Sequence, residues 1–474
     1  MARGPDSLVQ IGRPARATGE PSRTTAPAPD APGVYLETFG CQMNEADSAL
    51  IAGRLAEGGY RRVTAPGEAD VVLINTCAVR EKAEDRVWGR ASQLLRHRAD
   101  NPDLVIGITG CMAEHLKEHV GERAPYVTLV AGPDAYRDIA TLVDRARDGQ
   151  RVVETKLDRT EVYEGLDGHP DDNGVSGFVT IQRGCDKFCT FCVVPYTRGR
   201  ERGVPPREVL RQTQKLAAAG YREVVLLGQT VNSYRWPDPQ AGHDVRFSDL
   251  IRAVAGTPGI DRVRFTSPYP VDFTPDVIAA MAELPEVCPQ VHLPVQSGSD
   301  AVLSRMRRGY TRQQYVDLVA QLRAAIPDIA LSTDILVGFC GETEADHAQT
   351  LQLVDEIRFD SAFMFAYSDR GITYAGKKLS DDVPAEVKKR RLQEVIAWQN
   401  VHTVASHAAR VGTRQRVLVA ATAKRGDAMQ AKTPHFHNVL LPLDCAEPGE
   451  FLEVTVHEST GHSLVATPVT ANDP

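Results

Sequence analysis

Three cysteines in one loop, Cys185, Cys189 and Cys192, constrain this chain more than any other feature of its sequence. The loop follows an apolar run at residues 178–181 that is typical of a β-strand. At the spacing C-x3-C-x2-C, three thiolates can bind one face of a metal centre. Zinc usually takes four ligands, and no fourth Cys or His lies nearby in the sequence. The loop therefore favours an iron–sulfur cube with one iron open to a substrate, and the alternatives are a zinc knuckle with a distant ligand or unliganded buried thiols.

The composition fits a multidomain protein of the cytoplasm. A length of 474 residues predicts two or three domains, and the net charge of −8 confines any nucleic-acid binding to local basic patches. The nine cysteines occur mostly beside strand-like runs, unlike a secreted disulfide framework, so we expect a reducing compartment. No apolar run approaches the roughly 18–20 residues that span a membrane, so we expect no membrane association.

The first 155 residues divide into a tail and a region of alternating strands and helices. Residues 1–32 are rich in proline and alanine and poor in large apolar side chains, which predicts a disordered tail. In residues 33–155, strand-like runs alternate with helical patterns such as Ala46–Glu57, and this alternation predicts a doubly wound parallel sheet. The predicted strands are Val34–Phe39, Val71–Asn75, Leu104–Thr109, Tyr126–Ala131 and Arg151–Glu154.

A second set of three cysteines occupies one structural position in this region. Cys41, Cys77 and Cys111 follow the first three predicted strands, and about one strand–helix unit separates each from the next. Parallel sheets place their ligands at the carboxyl ends of strands, where the N-termini of the following helices favour anionic groups. A single cysteine after a strand is usually a small core residue. Three at the same position indicate a second metal site.

Residues 156–176 are acidic, glycine-rich and poor in apolar side chains, which predicts a linker. Residues 177–410 then contain a second alternating series of strands and helices, the helices including Pro206–Ala219 and Arg312–Ala325. Six such units predict an open, partial (β/α)6 barrel with its chemistry at the carboxyl ends of the strands. The predicted strands are Phe178–Gln182, Glu223–Gly228, Arg262–Thr266, Val291–Val295, Ala330–Val337 and Ala362–Ala366.

Polar residues cluster just after four of these strands. Any one of the groups would fit an ordinary turn, but four in register predict a cavity for a cofactor and a substrate. No residue is assigned as a general acid or base. The candidate cavity residues are Gln229, Asn232, Thr266, Ser267, Gln296, Ser297, Asp334, Gly338 and Glu342.

The C-terminal part begins with a long helical pattern at residues 385–409. Its basic run at residues 388–391 fits either a solvated face or a binding surface. Residues 411–470 contain short strands between Gly/Pro turns, which predicts a small β-barrel, a fold that commonly binds single-stranded nucleic acid. A purely structural cap is the alternative. The predicted strands are Gln415–Ala420, Val439–Leu441, Phe451–His457 and Ser463–Thr467, and the candidate RNA contacts are Lys424, Arg425, Lys432, His435 and Phe436.

With both cysteine sets in place, the chain resembles the methylthiotransferases of the radical S-adenosylmethionine superfamily over about residues 34–470. Within that family it is most similar to the branch that adds a 2-methylthio group to N6-isopentenyladenosine beside the tRNA anticodon. The resemblance rests on Thr38-Phe39-Gly40-Cys41-Gln42-Met43-Asn44, Asn75-Thr76-Cys77-Ala78-Val79-Arg80-Glu81, Gly110-Cys111-Met112-Ala113 and, after the central loop, Pro195-Tyr196-Thr197-Arg198-Gly199-Arg200-Glu201.

The resemblance implies two [4Fe–4S] clusters and S-adenosylmethionine as cofactors. Cys185, Cys189 and Cys192 would hold the cluster that cleaves S-adenosylmethionine to a 5′-deoxyadenosyl radical, with Phe191 beside the cofactor. Cys41, Cys77 and Cys111 would hold an auxiliary cluster that carries the sulfur. The C-terminal barrel would be a TRAM domain.

The resemblance also implies the partners of the protein. The expected substrate is the anticodon stem–loop of a tRNA, with a flavodoxin or ferredoxin as electron donor, and we expect a cytoplasmic monomer. The target adenine must leave the stack of bases, so backbone contacts are expected from the barrel and from the basic segments 198–202 and 305–312.

Three positions depart from the family pattern. Cys340 stands where the family usually has proline, residues 368–373 lack the usual Pro-Gly after the arginine, and residues 431–433 replace a Gly-Arg-Thr motif. None of them is a predicted cluster ligand. The alternatives are the same chemistry on another tRNA adenosine or on a ribosomal protein side chain, and a non-enzymatic iron–sulfur protein with an RNA-binding tail. Cleavage of S-adenosylmethionine would separate this last alternative from an enzyme.

Overall fold

The computed structural model describes residues 28–78, 81–168, 174–239, 242–423 and 426–469. Most of the predicted tail, together with Lys424, Arg425 and the motif residues Val79 and Arg80, lies outside these ranges. Among the described helices, none combines the length and the apolar character needed to cross a membrane.

The N-terminal region contains a parallel sheet with helices on both faces. Its strands are β1 (Gly33–Phe39), β2 (Arg61–Arg62), β3 (Val71–Thr76), β4 (Val105–Gly110), β5 (Leu129–Ala131) and β6 (Val152–Glu154). Its helices are α1 (Gln42–Glu57), α2 (Glu81–Leu94), α3 (Cys111–Leu116), α4 (His119–Arg123) and α5 (Ile139–Arg147).

The six strands pair in the order β2-β1-β3-β4-β5-β6, and every pairing is parallel. All residues of β3 and β4 are buried, as strands covered on both faces require. The predicted doubly wound sheet is therefore confirmed. The two-residue β2 is too short to produce a sequence pattern, and α1 begins directly after Cys41, four residues earlier than the pattern Ala46–Glu57 predicts.

The central region contains ten strands and nine helices within the described ranges. Its strands are β7 (Ser176–Thr180), β8 (Gln182–Arg183), β9 (Arg202–Gly203), β10 (Glu223–Leu227), β11 (Arg235–Trp236), β12 (Val245–Arg246), β13 (Arg262–Phe265), β14 (Gln290–His292), β15 (Ala330–Val337) and β16 (Ser361–Ala366). Its helices are α6 (Val194–Thr197), α7 (Pro206–Ala218), α8 (Phe247–Ala255), α9 (Pro275–Glu283), α10 (Asp300–Arg305), α11 (Arg312–Ala325), α12 (Glu344–Ile357), α13 (Tyr374–Lys378) and α14 (Ala385–Ala408).

Six of these strands form the predicted partial barrel. Two parallel sheets, β7-β10-β13 and β14-β15-β16, meet through a bridge between Val263 and Val287. The outer strands β7 and β16 do not pair with each other in the described structure, so the barrel is open. Met43 of α1 packs against Phe178, Val225 and Leu227 of the β7-β10 side, which brings the N-terminal sheet against the barrel.

The basic run in α14 is only half solvated. Lys389 and Arg390 are exposed, whereas Lys388 and Arg391 are buried. Lys388 donates a 2.5 Å hydrogen bond to Asp381, and Arg391 pairs with buried Glu342. Arg391 therefore stabilises the packing of α14 against the loop after β15, and Lys388 binds the segment between β16 and α14.

The C-terminal region is a closed antiparallel-rich barrel of five strands in the order β17-β18-β19-β21-β20. The predicted small barrel is confirmed, although β18 was not predicted. The strands are β17 (Arg414–Thr422), β18 (Met429–Lys432), β19 (Asn438–Leu441), β20 (Phe451–Ser459) and β21 (Leu464–Pro468).

This small barrel docks on the partial barrel through two arginines at β13. Arg262 donates to the backbone carbonyls of Lys432 and Arg416, and Arg264 donates to those of Thr433 and Pro434. Each bond is 2.6–2.9 Å long. The turn between β18 and β19 is therefore fixed against the central region.

The docking engages one of the predicted RNA contacts in this turn. His435 lies 3.0 Å from Asp328 and is mostly buried. Lys432 donates to Asn438, and its Nζ lies 3.8 Å from the ring centre of Phe436, which is 41% exposed. His435 is therefore used within the protein, whereas Lys432 and Phe436 stay predicted RNA contacts. The sequence could not show the role of His435, because Asp328 lies on another part of the chain.

Acid should loosen this docking. Burial, together with His407 and Arg410, lowers the pKa of His437 to about 3, so His437 stays neutral in the folded protein. Because an unfolded histidine binds a proton near pH 6.5, the free energy of unfolding should fall by up to about 1.4 kcal/mol per pH unit as the pH drops from about 6 to 4. We expect His437→Asn to show a shallower fall in calorimetric unfolding temperature over this range than the parent protein.

The control is His457→Asn, since His457 is an exposed histidine of β20. This variant should follow the parent protein. An identical slope in His437→Asn and in the parent would show that His437 does not cause the acid sensitivity.

Candidate functional site

Cys41, Cys77 and Cys111 lie together at one edge of the N-terminal sheet. They follow β1, β3 and β4, which are adjacent strands. The strand order reverses between β1 and β3, and open α/β sheets bind ligands at such a switch point. The sheet topology therefore brings the three predicted ligands to one place.

Two buried asparagines hold these strand ends in position. Asn44 donates to the side chain of Asn75 and to the backbone carbonyl of Thr76, both at 3.1 Å. Asn75 donates back to the carbonyl of Asn44 at 2.8 Å. The thiol of Cys41 donates to Asn44 Oδ1 at 3.3 Å. Sequence analysis quoted both asparagines as motif residues but did not assign this role.

In each set, one of the glycines that precede a cysteine is required for a steric reason. Gly110, before Cys111, has φ +92°, and a Cβ there would lie 2.4 Å from Thr76 O. Gly184, before Cys185, has φ +72°, and a Cβ there would lie 2.0 Å from Arg200 O. Larger residues would displace both loops, so these positions require glycine.

The central loop holds Cys185, Cys189 and Cys192 in a largely buried setting. The Cys189 Sγ accepts a 3.3 Å hydrogen bond from Arg308, and the Cys185 Sγ accepts one of 3.4 Å from the backbone N–H of Lys187. The backbone N–H of Cys192 bonds to the carbonyl of Cys189 at 3.0 Å, which closes the turn. Donors directed at two of the three sulfurs favour thiolate ligands over inert thiols.

The thiols differ in acidity between the two sets and also within the N-terminal set, where burial raises the pKa of Cys111. Burial raises the pKa of Cys185 to about 11 and that of Cys192 to about 12. By contrast, a hydrogen bond with Cys77, with help from Arg198 and the first backbone N–H groups of α1, lowers the pKa of Cys41 to about 6 against the cost of desolvation. Metal binding at the central loop must therefore release protons, whereas Cys41 gives up its proton more readily.

The two cysteine sets face each other across the boundary between the N-terminal sheet and the barrel. Cys111 packs with Ala78 and with Val193, the residue after Cys192. Arg198, just beyond the central loop, donates its Nε to the Cys111 Sγ at 3.1 Å. A group bound by one set would thus lie opposite a group bound by the other.

The residues present fit iron–sulfur clusters. Within the described ranges, no three Cys, His, Asp or Glu side chains converge as a single metal ion requires; a cube binds each cysteine through a different iron and so needs a wider spacing. The Nη1 of Arg198 is buried with no hydrogen-bond partner in the described structure. An unpaired guanidinium donor beside thiols suits a sulfur-rich anion.

Several predicted cavity residues are already engaged by the protein itself. Asn232 uses both ends of its amide on the backbone of Tyr269, at 2.7 and 2.8 Å. The Ser297 hydroxyl contacts Thr350 and accepts from the backbone of Ser299. Glu342 accepts from Arg391 and from the backbone N–H of Gly338. These side chains shape the loops at the strand ends, and any contact with a cofactor would use only the hydrogen-bonding capacity that remains.

The other predicted cavity residues are less constrained. Gln296 has φ +71° and is buried, Asp334 lies 3.4 Å from His292, and Gln229 is half-buried after β10. Phe191 packs edge-on against Phe339, with ring centres 6.3 Å apart, under the central loop.

A cavity of about 510 Å³ runs through the partial barrel. Its wall includes Gln42, next to Cys41, and the rings of Phe178, Phe363 and Phe436. Of the predicted cavity residues, Thr266 and Ser267 line it. The wall of this cavity does not include the others, namely Gln229, Asn232, Gln296, Ser297, Asp334, Gly338 and Glu342. Three regions of the chain therefore contribute to one space, and its aromatic lining suits an apolar or aromatic ligand.

The structure corrects the role of the basic segments. Arg198 and Arg202 are buried against Asp47 and Asp134, respectively, and Arg308 is buried against Cys189. They are therefore not part of a phosphate-binding surface, although Arg200 and Arg307 of the same segments are exposed. Asp47, a helical residue that sequence analysis did not single out, accepts from both Arg183 and Arg198 at 3.0 and 2.9 Å.

Comparisons with known proteins agree with this architecture. Residues 33–132 match the uncharacterized protein family UPF0004, residues 179–354 match the radical SAM superfamily, and residues 408–469 match the TRAM domain. Among solved structures, the cobalamin-dependent S-adenosylmethionine radical enzyme OxsB superposes with a TM-score of 0.52 at 15% identity, covering 78% of this chain and 56% of that one. The radical S-adenosylmethionine methyltransferase TsrM from Kitasatospora setae gives 0.53 at 13% identity, covering 73% and 74%. These likenesses concern the fold alone.

Curated relatives share far more of the sequence. A protein of Pelodictyon phaeoclathratiforme is 42% identical over 92% of this chain and 98% of its own length. One of Porphyromonas gingivalis is 43% identical over 91% of this chain and 94% of its own length. Both carry the name tRNA-2-methylthio-N(6)-dimethylallyladenosine synthase. Since identity at this level extends over the N-terminal sheet, the radical SAM core and the TRAM barrel alike, the chain belongs to the family of tRNA-2-methylthio-N(6)-dimethylallyladenosine synthases.

Proposed function

We propose that this protein inserts sulfur and a methyl group at C2 of N6-isopentenyladenosine beside the anticodon of a tRNA. The observation that carries this proposal is the placement of two three-cysteine sets on opposite sides of one domain boundary, with Cys111 packed against the residue that follows Cys192. A radical source and a sulfur source are both needed to replace an inert C–H hydrogen, and this arrangement provides a place for each.

Cys185, Cys189 and Cys192 would hold the [4Fe–4S] cluster that binds S-adenosylmethionine, and Cys41, Cys77 and Cys111 would hold the auxiliary [4Fe–4S] cluster. When bound, these groups supply the 5′-deoxyadenosyl radical, the methyl group and a site for sulfur. The chain itself limits water at the central loop, since Cys185 and Cys189 are buried and Phe191 packs with Phe339 in an apolar cluster. It also fixes the separation of the two sets through the ion pairs of Asp47.

The cavity supports the choice of an isopentenylated adenine. Rings of Phe178, Phe363 and Phe436 provide apolar surface, and Gln42 connects this space to the auxiliary set. An apolar substituent that fills such a pocket adds roughly 1–3 kcal/mol of discrimination over the unmodified base. The adenine must leave the anticodon loop to enter, as bases do in enzymes that modify them.

Nucleoside mass spectrometry tests the proposal. Cells that lack this protein should accumulate N6-isopentenyladenosine in tRNA and lose its 2-methylthio derivative. The parent protein should restore the derivative, whereas Cys77→Ala should not. Restoration by Cys77→Ala would refute the sulfur site, and an unchanged tRNA with an altered ribosomal protein would refute the substrate.

We also propose which surface binds the RNA. The central loop, residues 305–308 and α13 are joined by backbone bonds from Thr190 to Met306 and from Ala375 to Thr190, at 3.0 and 2.8 Å. On this platform stand two exposed tyrosines, each paired with an exposed cation. The Arg307 guanidinium lies 3.9 Å from the ring centre of Tyr374, and Lys377 Nζ lies 5.7 Å from that of Tyr196. Alternating rings and cations fit stacked bases and phosphates.

Removing both cations should weaken RNA binding in a salt-dependent way. Each phosphate contact on a single strand contributes about 0.7 to the slope of log K against log salt. We therefore expect Arg307→Ala/Lys377→Ala to bind an isopentenylated anticodon stem–loop more weakly, with a slope shallower by about 1.4 if both contacts are lost. Fluorescence anisotropy at several salt concentrations measures this.

The matched control is Arg207→Ala/Lys215→Ala, which removes two cations from α7. It should retain the parent slope. An equal loss of RNA affinity in both variants would show that only the net charge matters. The platform would then not be the RNA-binding surface. If the platform variant bound RNA normally but no longer accepted electrons from an acidic flavodoxin, the surface would belong to the electron donor.

The remaining partners are extensions of the same proposal. We propose that a flavodoxin or ferredoxin supplies the electron, that the protein acts as a monomer, and that it works in the cytoplasm where its tRNA is found. The exposed ring of Phe188 within the central loop, with Arg200 over it at 5.5 Å, offers such a donor a contact close to the cysteines.

A further inference from the structure

Arg198 occupies an unusual position between the two halves of the site. It belongs to the barrel region, yet its Nε donates to the Sγ of Cys111 in the N-terminal sheet at 3.1 Å. Its Nη2 donates to Asp47 at 2.9 Å. The residue is only 3% exposed, and its Nη1 has no partner among the described residues.

A buried guanidinium with one unpaired N–H donor costs free energy unless a ligand accepts a hydrogen bond from it. Leaving a buried polar group unpaired costs free energy, and the cost is higher for a charged group. An arginine guanidinium stays charged in proteins, and the Asp47 carboxylate lies 2.9 Å from Nη2. Arg198 is therefore a permanent cation with a free N–H beside the predicted ligands of the auxiliary cluster.

We propose that Arg198 is a positioning residue for the sulfur-rich anion bound by Cys41, Cys77 and Cys111, with Nε holding the Cys111 thiolate and Nη1 donating to a further sulfur of the bound group. This inference rests on the proposed function, because it takes these cysteines as ligands. Hydrogen bonds to cluster sulfurs stabilise the more negative, reduced state. Arg198 therefore raises the reduction potential of the auxiliary cluster and favours hydrosulfide at its open iron.

The corresponding arginine of the central loop lacks this free donor. Arg308 also donates to a ligand sulfur, that of Cys189, at 3.3 Å. Its other nitrogens are occupied by the Tyr310 hydroxyl at 3.0 Å and the Pro294 carbonyl at 2.9 Å. Each cysteine set thus receives one buried guanidinium, and of the two only Arg198 has a nitrogen without a partner among the described residues.

Arg183 provides a matched control. It is as buried as Arg198 and donates to the other oxygen of Asp47 at 3.0 Å. It also bonds to the carbonyl of Pro133 and lies over the ring of Tyr163 at 4.6 Å. Within the described structure Arg183 makes no bond to a cysteine, so its removal disturbs the same ion-pair network without touching a thiolate.

The test compares Arg198→Gln with Arg183→Gln in the full-length chain, reconstituted with iron and sulfide. A background of Cys185→Ala/Cys189→Ala/Cys192→Ala leaves only the auxiliary cluster to observe. In a potentiometric titration followed by electron paramagnetic resonance, Arg198→Gln should lower the reduced-to-oxidised ratio at fixed potential about tenfold, which is 59 mV for one electron. It should also bind sodium hydrosulfide at least about tenfold more weakly, whereas Arg183→Gln should match the background protein.

Equal shifts in the two variants, or none in either, would overturn the inference and leave Arg198 as an interface residue. If Arg198→Gln loses its iron, the same measurements are made on Arg198→Lys. Lysine keeps the positive charge beside Asp47 but lacks the several N–H donors of a guanidinium. A cluster of normal potential and hydrosulfide affinity in Arg198→Lys would also overturn it, and lowered values would support it. Absence of iron from the background protein itself would instead contradict the proposed function.

Discussion

Cys189→Ala should abolish the formation of 5′-deoxyadenosine from S-adenosylmethionine while about half of the bound iron remains. The variant removes one ligand of the central set and leaves the Nη1 of Arg308 without its acceptor. The auxiliary set lies on the other region of the chain and keeps all three thiols. Reductive cleavage assays by liquid chromatography, together with iron analysis, measure both outcomes.

The control for this variant is Cys288→Ala. Cys288 is a buried cysteine between the two barrel sheets and belongs to neither set, so its loss should cost only packing, of order 1 kcal/mol. It should cleave S-adenosylmethionine at the parent rate. Residual cleavage by Cys189→Ala above the rate without enzyme would show that the central ligands are wrongly assigned.

Asp47→Ala should separate radical formation from thiolation. Asp47 is 1% exposed and accepts from two buried arginines, Arg183 and Arg198. Breaking a buried ion pair by removing one partner typically costs about 3–5 kcal/mol, because the remaining charge is left uncompensated. Here two guanidinium groups lose their partner at the boundary between the cysteine sets, so the sets should lose their alignment.

We therefore expect Asp47→Ala to lose 2-methylthio product almost completely, to keep measurable 5′-deoxyadenosine formation, and to unfold at lower urea concentration. Asp186→Ala is the control, since Asp186 forms an exposed pair with Arg200. Such pairs contribute about 0–1 kcal/mol, and this variant should resemble the parent in stability. Parent-like product formation by Asp47→Ala would show that the ion pairs do not set the alignment.

The sequence predicted the elements and the placement of the cysteines well, for a simple physical reason. Strand periodicity and helix stops are local signals in the sequence. A cysteine directly after a strand is still placed at the strand end when the predicted boundary is wrong by one or two residues. The order of β1, β3 and β4 then follows from the alternation of strands and helices. Short strands such as β2 and β18 were not predicted, because two to four residues are too few to show a periodic pattern.

The roles of the arginines could not be predicted in the same way. Arg198 lies 151 residues from its partner Asp47, and Arg183 lies 136 residues from it. A basic segment in sequence looks the same whether it faces solvent or an interior carboxylate. Only packing shows that Arg198, Arg202 and Arg308 are internal, whereas Arg200 and Arg307 are exposed.

The position of the small C-terminal barrel has a consequence for how enzymes of this kind diverge. Its turn between β18 and β19 forms part of the cavity wall through Phe436 and His437. A recombination event that exchanged this module between relatives would therefore alter the shape of the space offered to the adenine substituent as well as the contact with RNA. The small barrel and the substrate preference should therefore be inherited together. A chimaera with a barrel from another relative would need compensating changes at Arg262 and Arg264, whose side chains bond to backbone carbonyls of the turn and hold it in place.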